Sequence, residues 1–351
     1  MGFSELREWA RTSALTGKGY RLLKEGIRRE RRRRLSSGPH RFLNRQRGER
    51  ILLLVIAGYK PWLYRLVFPR LKSFLPDFPM DLCLLSSGRF DPELSELAKD
   101  WGCSYLSTKR NCVTLAQNMA IELHPEAEFI FKMDEDIFVT KGCFEALLSL
   151  YRRVEEEGPY RPGFTAPLIP VNGYGYRRLL TKLSLLERYE EKFERPLTAA
   201  GREYRIESDP AAARFFWGEG GEVPPLDALN RRFSGKGFRY EACPVRFSIG
   251  FILFRRSLWE EMGRFPVRGG SCMGLDEDRL CSFCMTHSRA ILVSENTVVG
   301  HFSFGKQTEG MRRFLEEHPE RFLSPGEEAE RDEKENEKEL KEDEGKREET
   351  R

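Results

Sequence analysis

The chain has 351 residues, 40% of them hydrophobic and 32% charged, which is long enough to bury a sizeable core. It contains no stretch of about twenty apolar residues, so a transmembrane helix is excluded, and the N-terminus lacks the apolar centre of a signal peptide. The net charge of +4 sums a basic beginning and an acidic end and says little about the middle.

The two ends of the chain differ in composition from the middle. Residues 1–47 form a basic arm that contains the run RRERRRR at 28–34. Residues 324–351 are almost wholly charged, and such a tail buries too little apolar surface to offset the entropy of ordering, so we expect disorder or a solvated helix. The folded domain is therefore predicted to span residues 48–323.

The eight cysteines lie mostly within apolar segments and lack the spacing of a disulfide framework, which indicates reduced thiols. We therefore expect a cytoplasmic protein, with the Arg-rich arm in contact with glycan or, peripherally, with anionic lipid at the inner face of a membrane. The alternative is that the arm is a solvated surface helix. Cys281, Cys284 and His287 have a zinc-like spacing, but no second pair completes the site, so core positions on a helix are favoured.

From residue 51 onward, short β-rich runs alternate with helical patterns, which predicts an α/β domain with a largely parallel sheet. Residues 195–245 show no clear period and are predicted to be a loop-rich insertion. In chain order, the first predicted elements are a strand at 51–57, a helix from Pro61 that Pro69 kinks or ends, a strand at 81–87, a helix from Asp91 to about Trp101, and a strand at CSYLS. The next are a helix over 113–123, a strand over 128–133, a helix over 141–157, a strand at GFTAPLIP and a helix over 177–193. The last are a strand and a short helix within RFSIGFILFRRSLWEEMGRF, a helix at GLDEDRLCSFC, and a strand within AILVSENTVVGHFSF that ends with His301.

Three consecutive acids, Asp134, Glu135 and Asp136, interrupt the apolar run FIFKMDEDIFVT. Because side chains alternate along a strand, Asp134 and Asp136 project to one side and Glu135 to the other. Two carboxylates on one side repel unless a cation neutralises them, and hard oxygen ligands suit Mg²⁺ or Mn²⁺. The alternative is a charged turn at a strand end without a metal. A position beyond the carboxyl end of a strand, where open α/β sheets bind ligands, favours the metal site.

Five segments together carry a family resemblance: IAGY at 56–59, SSGRFD at 86–91, LAQNMAIEL before FIFKMDEDIFV, SIGFILFRR, and GLDEDRL at 274–280. With these motifs, about residues 51–305 resemble the nucleotide-sugar-dependent glycosyltransferases of the GT-A fold, especially family 2. The resemblance implies a Rossmann-like, mostly parallel sheet flanked by helices, in a single domain with a loop-rich acceptor-side insertion. It also implies a metal-dependent hexosyl transfer from a nucleoside-diphosphate sugar to an acceptor hydroxyl, with inversion.

The same resemblance implies roles for particular residues. Asp136 is the direct ligand of Mn²⁺ or Mg²⁺, Asp134 faces the ribose or a metal-bound water, and His301 is a further metal ligand, although a lone His beside apolar residues is otherwise a core group. Ser87 stands where the family often has an acid, so base recognition differs or comes from Asp91. The expected donor-binding residues are Ala57, Gly58, Tyr59, Ser87, Asn118 and Asp134, with Lys109 or Arg110 replacing the Arg that the family has at Gln117.

GLDEDRL resembles the later acidic motif whose carboxylate deprotonates the acceptor in inverting members. Asp276, Glu277 and Asp278 are the candidate bases, with Asp276 preferred and Glu277 second. The alternative is that these acids only stabilise the positive end of a helix. Residues 160–245 are expected to shape the acceptor side, where Trp217 and Tyr174 are either sugar-stacking platforms or core residues.

Two other classes of function compete with glycosyl transfer. A nucleotidyltransferase also uses acids and Mg²⁺ on an α/β sheet, but it usually has a Gly-rich phosphate loop, and IAGYKP offers only Lys60. A nucleic-acid-binding protein is suggested by the Arg-rich arm, but the arm lies outside the motif-bearing domain and lacks interleaved aromatic residues. We therefore expect no nucleic acid, and the acceptor is expected to be a glycan, a lipid-linked molecule or a protein.

Overall fold

The computed structural model describes residues 24–27, 30, 33–170, 173–199 and 203–324. Nine strands form one sheet in the order β1-β4-β3-β2-β5-β9-β7-β10-β8, and β6 and β11 form a two-stranded ribbon. No helix in the described ranges combines the length and apolar character needed to cross a bilayer. The strands are β1 (His40–Leu43), β2 (Ile51–Ala57), β3 (Asp81–Ser87), β4 (Ser104–Thr108), β5 (Phe129–Asp134), β6 (Ile137–Phe138), β7 (Pro162–Leu168), β8 (Tyr240–Ala242), β9 (Phe251–Arg255), β10 (Ala290–Val298) and β11 (Gly300–His301).

Helices cover the sheet and connect its parallel strands. They are α1 (Tyr64–Ser73), α2 (Pro92–Asp100), α3 (Val113–Leu123), α4 (Cys143–Glu157), α5 (Gly173–Leu183), α6 (Leu186–Lys192), α7 (Arg205–Ser208), α8 (Pro210–Phe216), α9 (Leu226–Phe233), α10 (Arg256–Glu261), α11 (Leu275–Thr286) and α12 (Thr308–Glu317). Two 3₁₀ turns, Pro61–Leu63 and Pro319–Arg321, precede α1 and follow α12.

The centre of the sheet is parallel: β4, β3, β2 and β5 run in one direction, and β9 inserts antiparallel between β5 and β7. Every residue of β2 is buried, as expected for a parallel strand with both faces covered. The predicted α/β fold with a mostly parallel sheet is therefore confirmed.

The connections leave β2 and β5 in opposite directions, because β2 leads to β3 on one side and β5 leads toward β7 on the other. This is a topological switch point, where a crevice opens beyond the carboxyl ends of the two strands.

Three elements match the sequence prediction residue for residue: the strands at 51–57 and 81–87 and the helix at 113–123. Pro69 neither ends nor breaks α1, which continues to Ser73. Pro69 and Arg65 both lie on the exposed face, so the carbonyl that loses its hydrogen-bond donor is open to water. The single helix predicted over 177–193 is two helices, because Ser184 adopts φ 59° between them.

The sequence predicts a loop-rich insertion over 195–245, and the structure places α7, α8, α9 and the edge strand β8 there. These helices have four to eight residues, too few turns to show a clear helical period in the sequence.

The domain begins earlier than the predicted boundary at residue 48. Strand β1 pairs antiparallel with β4, from His40 opposite Thr108 to Leu43 opposite Tyr105. The carboxylate of Asp81 then accepts hydrogen bonds from the backbone N–H groups of residues 47–49, at 2.6–3.1 Å. A four-residue edge strand gives too short a pattern to be found within a basic segment. Residues 1–23 of the arm and the tail from residue 325 lie outside the described residues.

Candidate active site

The loop after β2 is held in place by Glu135, the middle acid of the DED motif. Its carboxylate accepts hydrogen bonds from three successive backbone N–H groups, those of Gly58 (2.8 Å), Tyr59 (2.8 Å) and Lys60 (2.7 Å). Gly58 has φ +105°, a conformation that side chains disfavour. Burial and the neighbouring Asp136 raise the pKa of Glu135 to about 8, and the three N–H groups oppose this rise. Glu135 thus fixes the conformation of the loop after β2. The sequence prediction did not assign this role to it.

Asp136 lies in the crevice, directly before the ribbon formed by β6 and β11. Ile137 pairs with His301, and the Phe302 N–H donates to the Asp136 carbonyl at 2.9 Å, so the two segments are fixed side by side. The His301 Nε2 atom stands 3.5 Å from Asp136 Oδ2, and the ammonium group of Lys60 donates to the same oxygen. The structure therefore brings Asp136 and His301 together from distant parts of the chain.

Burial and the neighbouring charges act differently on the pKa values of Asp136 and His301. Burial opposes ionisation of Asp136, but Lys60 and His301 outweigh it and lower the pKa of this carboxyl. Burial lowers the pKa of His301 to about 4, with Lys60 and Lys132 adding to the effect and Asp136 opposing it. A charged carboxylate thus faces a neutral imidazole, which is the protonation state that metal binding requires.

Asp134 projects into the same region and is paired with Lys132. The Lys132 ammonium donates to Asp134 Oδ1 at 2.7 Å and to the Ile249 carbonyl at 2.9 Å. Burial raises the pKa of Asp134 to about 6, reinforced by Asp136 and Asp276 and opposed by Lys132. Burial also opposes the charge of Lys132, but the carboxylates of Asp134, Asp276 and Glu277 outweigh it and raise the pKa of this ammonium. Asp276 therefore lies within electrostatic range of the DED motif.

The three acids of GLDEDRL occupy the first turn of α11 in different environments. Asp276 is buried, and its Oδ2 accepts a hydrogen bond of 2.8 Å from Gln117 Nε2 on α3. Glu277 contacts Arg246 at 2.6 Å and accepts from the Ile249 N–H at 3.3 Å. Asp278, whose side chain is 60% exposed, contacts Arg246 at 3.3 Å. Asp276 is the most buried of the three and lacks an Arg246 contact, while Glu277 shares its proximity to Lys132.

The residues around Asp136 fit a divalent cation. Two ligands that are each about 2.1 Å from one ion, at a right angle, stand about 3.0 Å apart, so the observed 3.5 Å needs only a small shift. The Nδ1 atom of His301 is buried without a hydrogen-bond partner, and the neutral ring suits Mn²⁺. No set of three His, Cys, Asp or Glu side chains converges within the described ranges, so the protein offers two ligands. In this structure the Lys60 ammonium neutralises the charge of the Asp136 carboxylate. The Lys60 side chain would therefore have to move away for a cation to bind there.

The predicted nucleotide-binding residues differ in their access to solvent. Tyr59 is 38% exposed, and its hydroxyl donates to Asn111 Oδ1 at 3.3 Å. Ala57 is fully buried, and the hydroxyl of Ser87 already accepts a hydrogen bond from the Cys112 N–H at 2.8 Å. Asn111, which the sequence prediction omitted, is exposed beside Tyr59. No motif distinguishes it, and only the approach of the loops after β2 and β4 brings it beside Tyr59.

Asn118 is saturated by hydrogen bonds inside the protein. Its Nδ2 donates to the carbonyls of Leu35 and Phe265, both at 2.9 Å, and its Oδ1 accepts from Trp259 Nε1 at 2.9 Å and from the Phe265 N–H at 3.1 Å. A role in nucleotide binding stays a prediction, but these four bonds favour a structural role that joins α3 to the segment before α11.

The flanking residues of the predicted nucleotide site have other partners. Asp91 caps α2 and accepts from the Tyr64 hydroxyl at 3.2 Å. Lys109 and Arg110 are exposed, and the Arg110 guanidinium donates to the Arg268 carbonyl.

Two aromatic residues proposed as sugar platforms are core residues. Trp217 is 6% exposed, packs on Phe322 with a centroid distance of 4.4 Å and donates to the His301 carbonyl at 3.2 Å. Tyr174 is 5% exposed and packs against Phe247. Their aromatic faces are covered by other protein residues. The alternative that they are sugar-stacking platforms is therefore wrong, and they are core residues.

The thiols of Cys281 and Cys284 are also buried in the core. Cys281 Sγ contacts the Phe247 carbonyl at 3.4 Å, while the ring of His287 stacks on Phe283. The core interpretation of this CxxC segment is confirmed.

No family model matches the chain, and no curated protein matches it. Solved structures of glycosyltransferases do. One is a structure of GalNAc-T7 with UDP, GalNAc and Mn²⁺, at 13% identity and a TM-score of 0.42, covering 76% of this chain and 47% of that one. Another is the mannosyltransferase PcManGT from Pyrobaculum calidifontis with GDP-Man and Mn²⁺, at 14% identity and a TM-score of 0.39, covering 72% and 56%.

The chain thus aligns with about half the length of each of these two proteins. At these scores the likenesses are partial. The roles of individual residues therefore rest on the geometry of this chain.

Proposed function

We propose that this protein transfers a sugar from a nucleoside-diphosphate sugar to an acceptor hydroxyl, with the help of a divalent metal ion. The observation that carries the proposal is the convergence of Asp136 and His301, 3.5 Å apart, at the switch point of the sheet. A buried carboxylate and a neutral imidazole in the ligand crevice of an α/β sheet form half of a cation site whose remaining ligands come from a substrate.

A nucleoside diphosphate suits this crevice better than a neutral ligand. Mg²⁺ and Mn²⁺ sites with one or two protein ligands are usually completed by phosphate oxygens and water. A cation bound by Asp136 and His301 would neutralise the charge that develops on the departing diphosphate. The Lys60 ammonium, whose side chain is 22% exposed, would then move from Asp136 toward the phosphates and supply a second positive charge.

The acceptor side of the proposed reaction is assigned to α11. Asp276 accepts the proton of the acceptor hydroxyl, which makes the oxygen a better nucleophile for the sugar carbon. Gln117 holds one carboxylate oxygen of Asp276 at 2.8 Å and leaves the other oxygen for the acceptor. A base on the face opposite the leaving group corresponds to inversion at the sugar carbon.

The first test is a screen of nucleotide sugars for hydrolysis and transfer, with Mn²⁺ or with excess EDTA. The expected result is turnover of one donor that EDTA abolishes. Asp136→Asn keeps the side-chain volume but removes the charged ligand, so turnover should fall by at least about 100-fold, because several kcal/mol of charge stabilisation are lost. Binding of UDP or GDP with Mn²⁺, followed as a rise in Tm, should weaken in the same variant.

The matched control is Asp100→Asn, which makes the same chemical change at an exposed position at the end of α2. It should keep wild-type turnover and the Mn²⁺-dependent rise in Tm. Full turnover of the wild type in EDTA, or of Asp136→Asn, would contradict the metal assignment.

A further inference from the structure

Two thiols from distant parts of the chain meet outside the Asp136 site. Cys112 precedes α3, Cys272 lies in the loop before α11, and 160 residues separate them. Their Sγ atoms are 2.7 Å apart, and both cysteines are free. A disulfide bond is about 2.05 Å long, so about 0.7 Å of further approach would close it.

The surrounding hydrogen bonds hold the two thiols together. The Val113 N–H donates to the Ser271 carbonyl at 2.8 Å, and the Thr114 hydroxyl donates to the Pro266 carbonyl at 2.6 Å. The loop that carries Cys272 is therefore docked along the first turn of α3, next to the sulfur pair. These hydrogen bonds fix the approach of the two segments that carry the thiols.

The two thiols differ in reactivity. The Cys112 S–H donates to Cys272 Sγ, the Arg268 N–H donates to the same sulfur at 3.4 Å, and Arg110 lies nearby. Burial opposes a Cys272 thiolate, but these groups outweigh it and lower the pKa of Cys272, whereas burial and Cys272 raise the pKa of Cys112. Because the thiolate is the reactive form, Cys272 reacts first.

Cys272 can be reached by a small oxidant. It is 6% exposed, and the neighbouring residues 268–270 are exposed. Cys112, by contrast, is fully buried behind it.

We propose that Cys112 and Cys272 form a reversible disulfide when the protein meets a hydroperoxide. The Cys272 thiolate attacks a peroxide oxygen, the O–O bond breaks, and a sulfenic acid and hydroxide are formed. Cys112 loses its proton to that hydroxide and attacks the Cys272 sulfur, so the S–S bond forms and the S–O bond breaks with release of a second hydroxide, which takes up a proton. For hydrogen peroxide, two thiols give up two electrons and two waters are produced. A thiol reductant reverses the reaction by exchange.

The bridge would join two segments that already meet at the candidate base. Cys112 precedes α3, which carries Gln117, and Cys272 precedes α11, which carries Asp276. Oxidation would therefore tie α3 to the loop beside Asp276. The bond itself is independent of the proposed sugar transfer, and its detection requires no substrate.

The test uses the full chain, reduced and then freed of reductant. Treatment with an equal concentration of hydrogen peroxide should remove two of the eight thiols. Non-reducing peptide mapping should find one cross-linked pair that joins Cys112 and Cys272, and dithiothreitol should restore both thiols. The Tm of the oxidised protein should rise by several degrees, because the bond closes a long loop.

Three variants define the outcome. Cys272→Ser should show no cross-link, while Cys143→Ser, which removes another buried thiol, should form it as the wild type does. Cys112→Ser should instead accumulate a sulfenic acid at Cys272, detected as a dimedone adduct. Cys272 lies in a loop, so the Cys272→Ser comparison decides the matter even where Cys112→Ser fails to fold. Eight remaining thiols after treatment, or a bridge between other cysteines, would overturn the proposal.

Discussion

The three acids of the DED motif are adjacent in sequence, yet each has its own partners. Asp134 pairs with Lys132, Glu135 accepts from three backbone N–H groups, and Asp136 faces Lys60 and His301. Strand β5 ends at Asp134, and residues 135–136 form a turn, so it is this turn and not strand alternation that directs Glu135 to the loop after β2 and Asp136 toward Lys60 and His301. A buried carboxylate is tolerated only with such partners, so the cost of burial is offset differently at each position.

The first prediction at the residue scale concerns Asp276. Asp276→Asn should lower the rate of transfer by about 10²- to 10⁴-fold, the usual contribution of a general base, and leave donor affinity close to wild type. Rates and donor binding measured on one preparation check both parts. Unchanged rates would move the base to Glu277 or Asp278, or would point to a retaining mechanism.

The second prediction concerns His301. In His301→Ala, half of maximal activity should require a higher Mn²⁺ concentration, and excess Mn²⁺ should partly restore the rate, because Asp136 remains as a ligand. Titration of metal against rate distinguishes this variant from Asp276→Asn, whose metal dependence should not change. The same metal dependence in wild type and His301→Ala would leave His301 as a core residue.

At the scale of elements, two contacts organise the crevice: Glu135 against the loop after β2, and α3 against the segment before α11. All positions of α3 from Val113 to Ile121 are buried, and its polar side chains are used as cross-links. Gln117 reaches Asp276, and Asn118 reaches Phe265. Helix α3 thus positions the candidate base without carrying it.

The loop after β2 should depend on Glu135 for stability. Glu135→Ala removes the acceptor of three N–H groups and is expected to lower the free energy of unfolding by about 2–4 kcal/mol, since water satisfies only part of them. Denaturant unfolding measures this loss. Glu156→Ala, an exposed change on α4, serves as the control and should lie within about 0.5 kcal/mol of wild type. Equal stability of the two variants would show that the loop holds its shape without Glu135.

The end of α3 gives a pH-dependent prediction. His124 is buried, its Nδ1 lies 2.7 Å from the Ala120 carbonyl, and burial lowers its pKa. As pH falls below about 6.5, the unfolded chain takes up a proton there before the folded protein does, so stability conferred at neutral pH is lost. Between pH 7 and pH 5 the Tm of wild type should therefore fall more than that of His124→Gln. Parallel Tm curves would refute a neutral buried His124.

At the scale of the whole molecule, the folded unit extends into the basic arm. Leu35 accepts from Asn118, β1 pairs with β4, and Asp81 fixes the backbone of residues 47–49. We propose that the part of the arm before residue 33 contacts anionic lipid. The arm would then be divided between a folded part and a lipid-binding part.

Two truncations test this division. Deleting residues 1–47 should lower the Tm, because β1 and the hydrogen bond from the Arg47 N–H to Asp81 are lost, whereas deleting residues 1–32 should leave the Tm nearly unchanged. The shorter deletion should weaken binding to vesicles that contain anionic lipid, and salt should weaken the binding of the full chain in the same way. Equal vesicle binding by the full chain and the shorter deletion would contradict the lipid contact.

The sequence by itself determined the elements with strong local signals. ILLLVIA is recognisable because both faces of a central parallel strand are apolar, and Asp91 with Pro92 marks a helix start. The motif DED at a strand end indicated the crevice, and the resemblance suggested His301 as its partner. Except for His301, which came from the resemblance, these predictions rest on interactions between residues that are close along the chain.

Only the tertiary structure decided which side chains meet. That Glu135 binds three N–H groups, that Asn118 is saturated, that Trp217 is covered by Phe322, and that Cys112 touches Cys272 all depend on contacts between segments far apart in sequence. Strand β1 likewise exists because β4 offers an open edge. Local patterns specify which face of an element is buried, but the partner that covers it follows from how all the elements pack together.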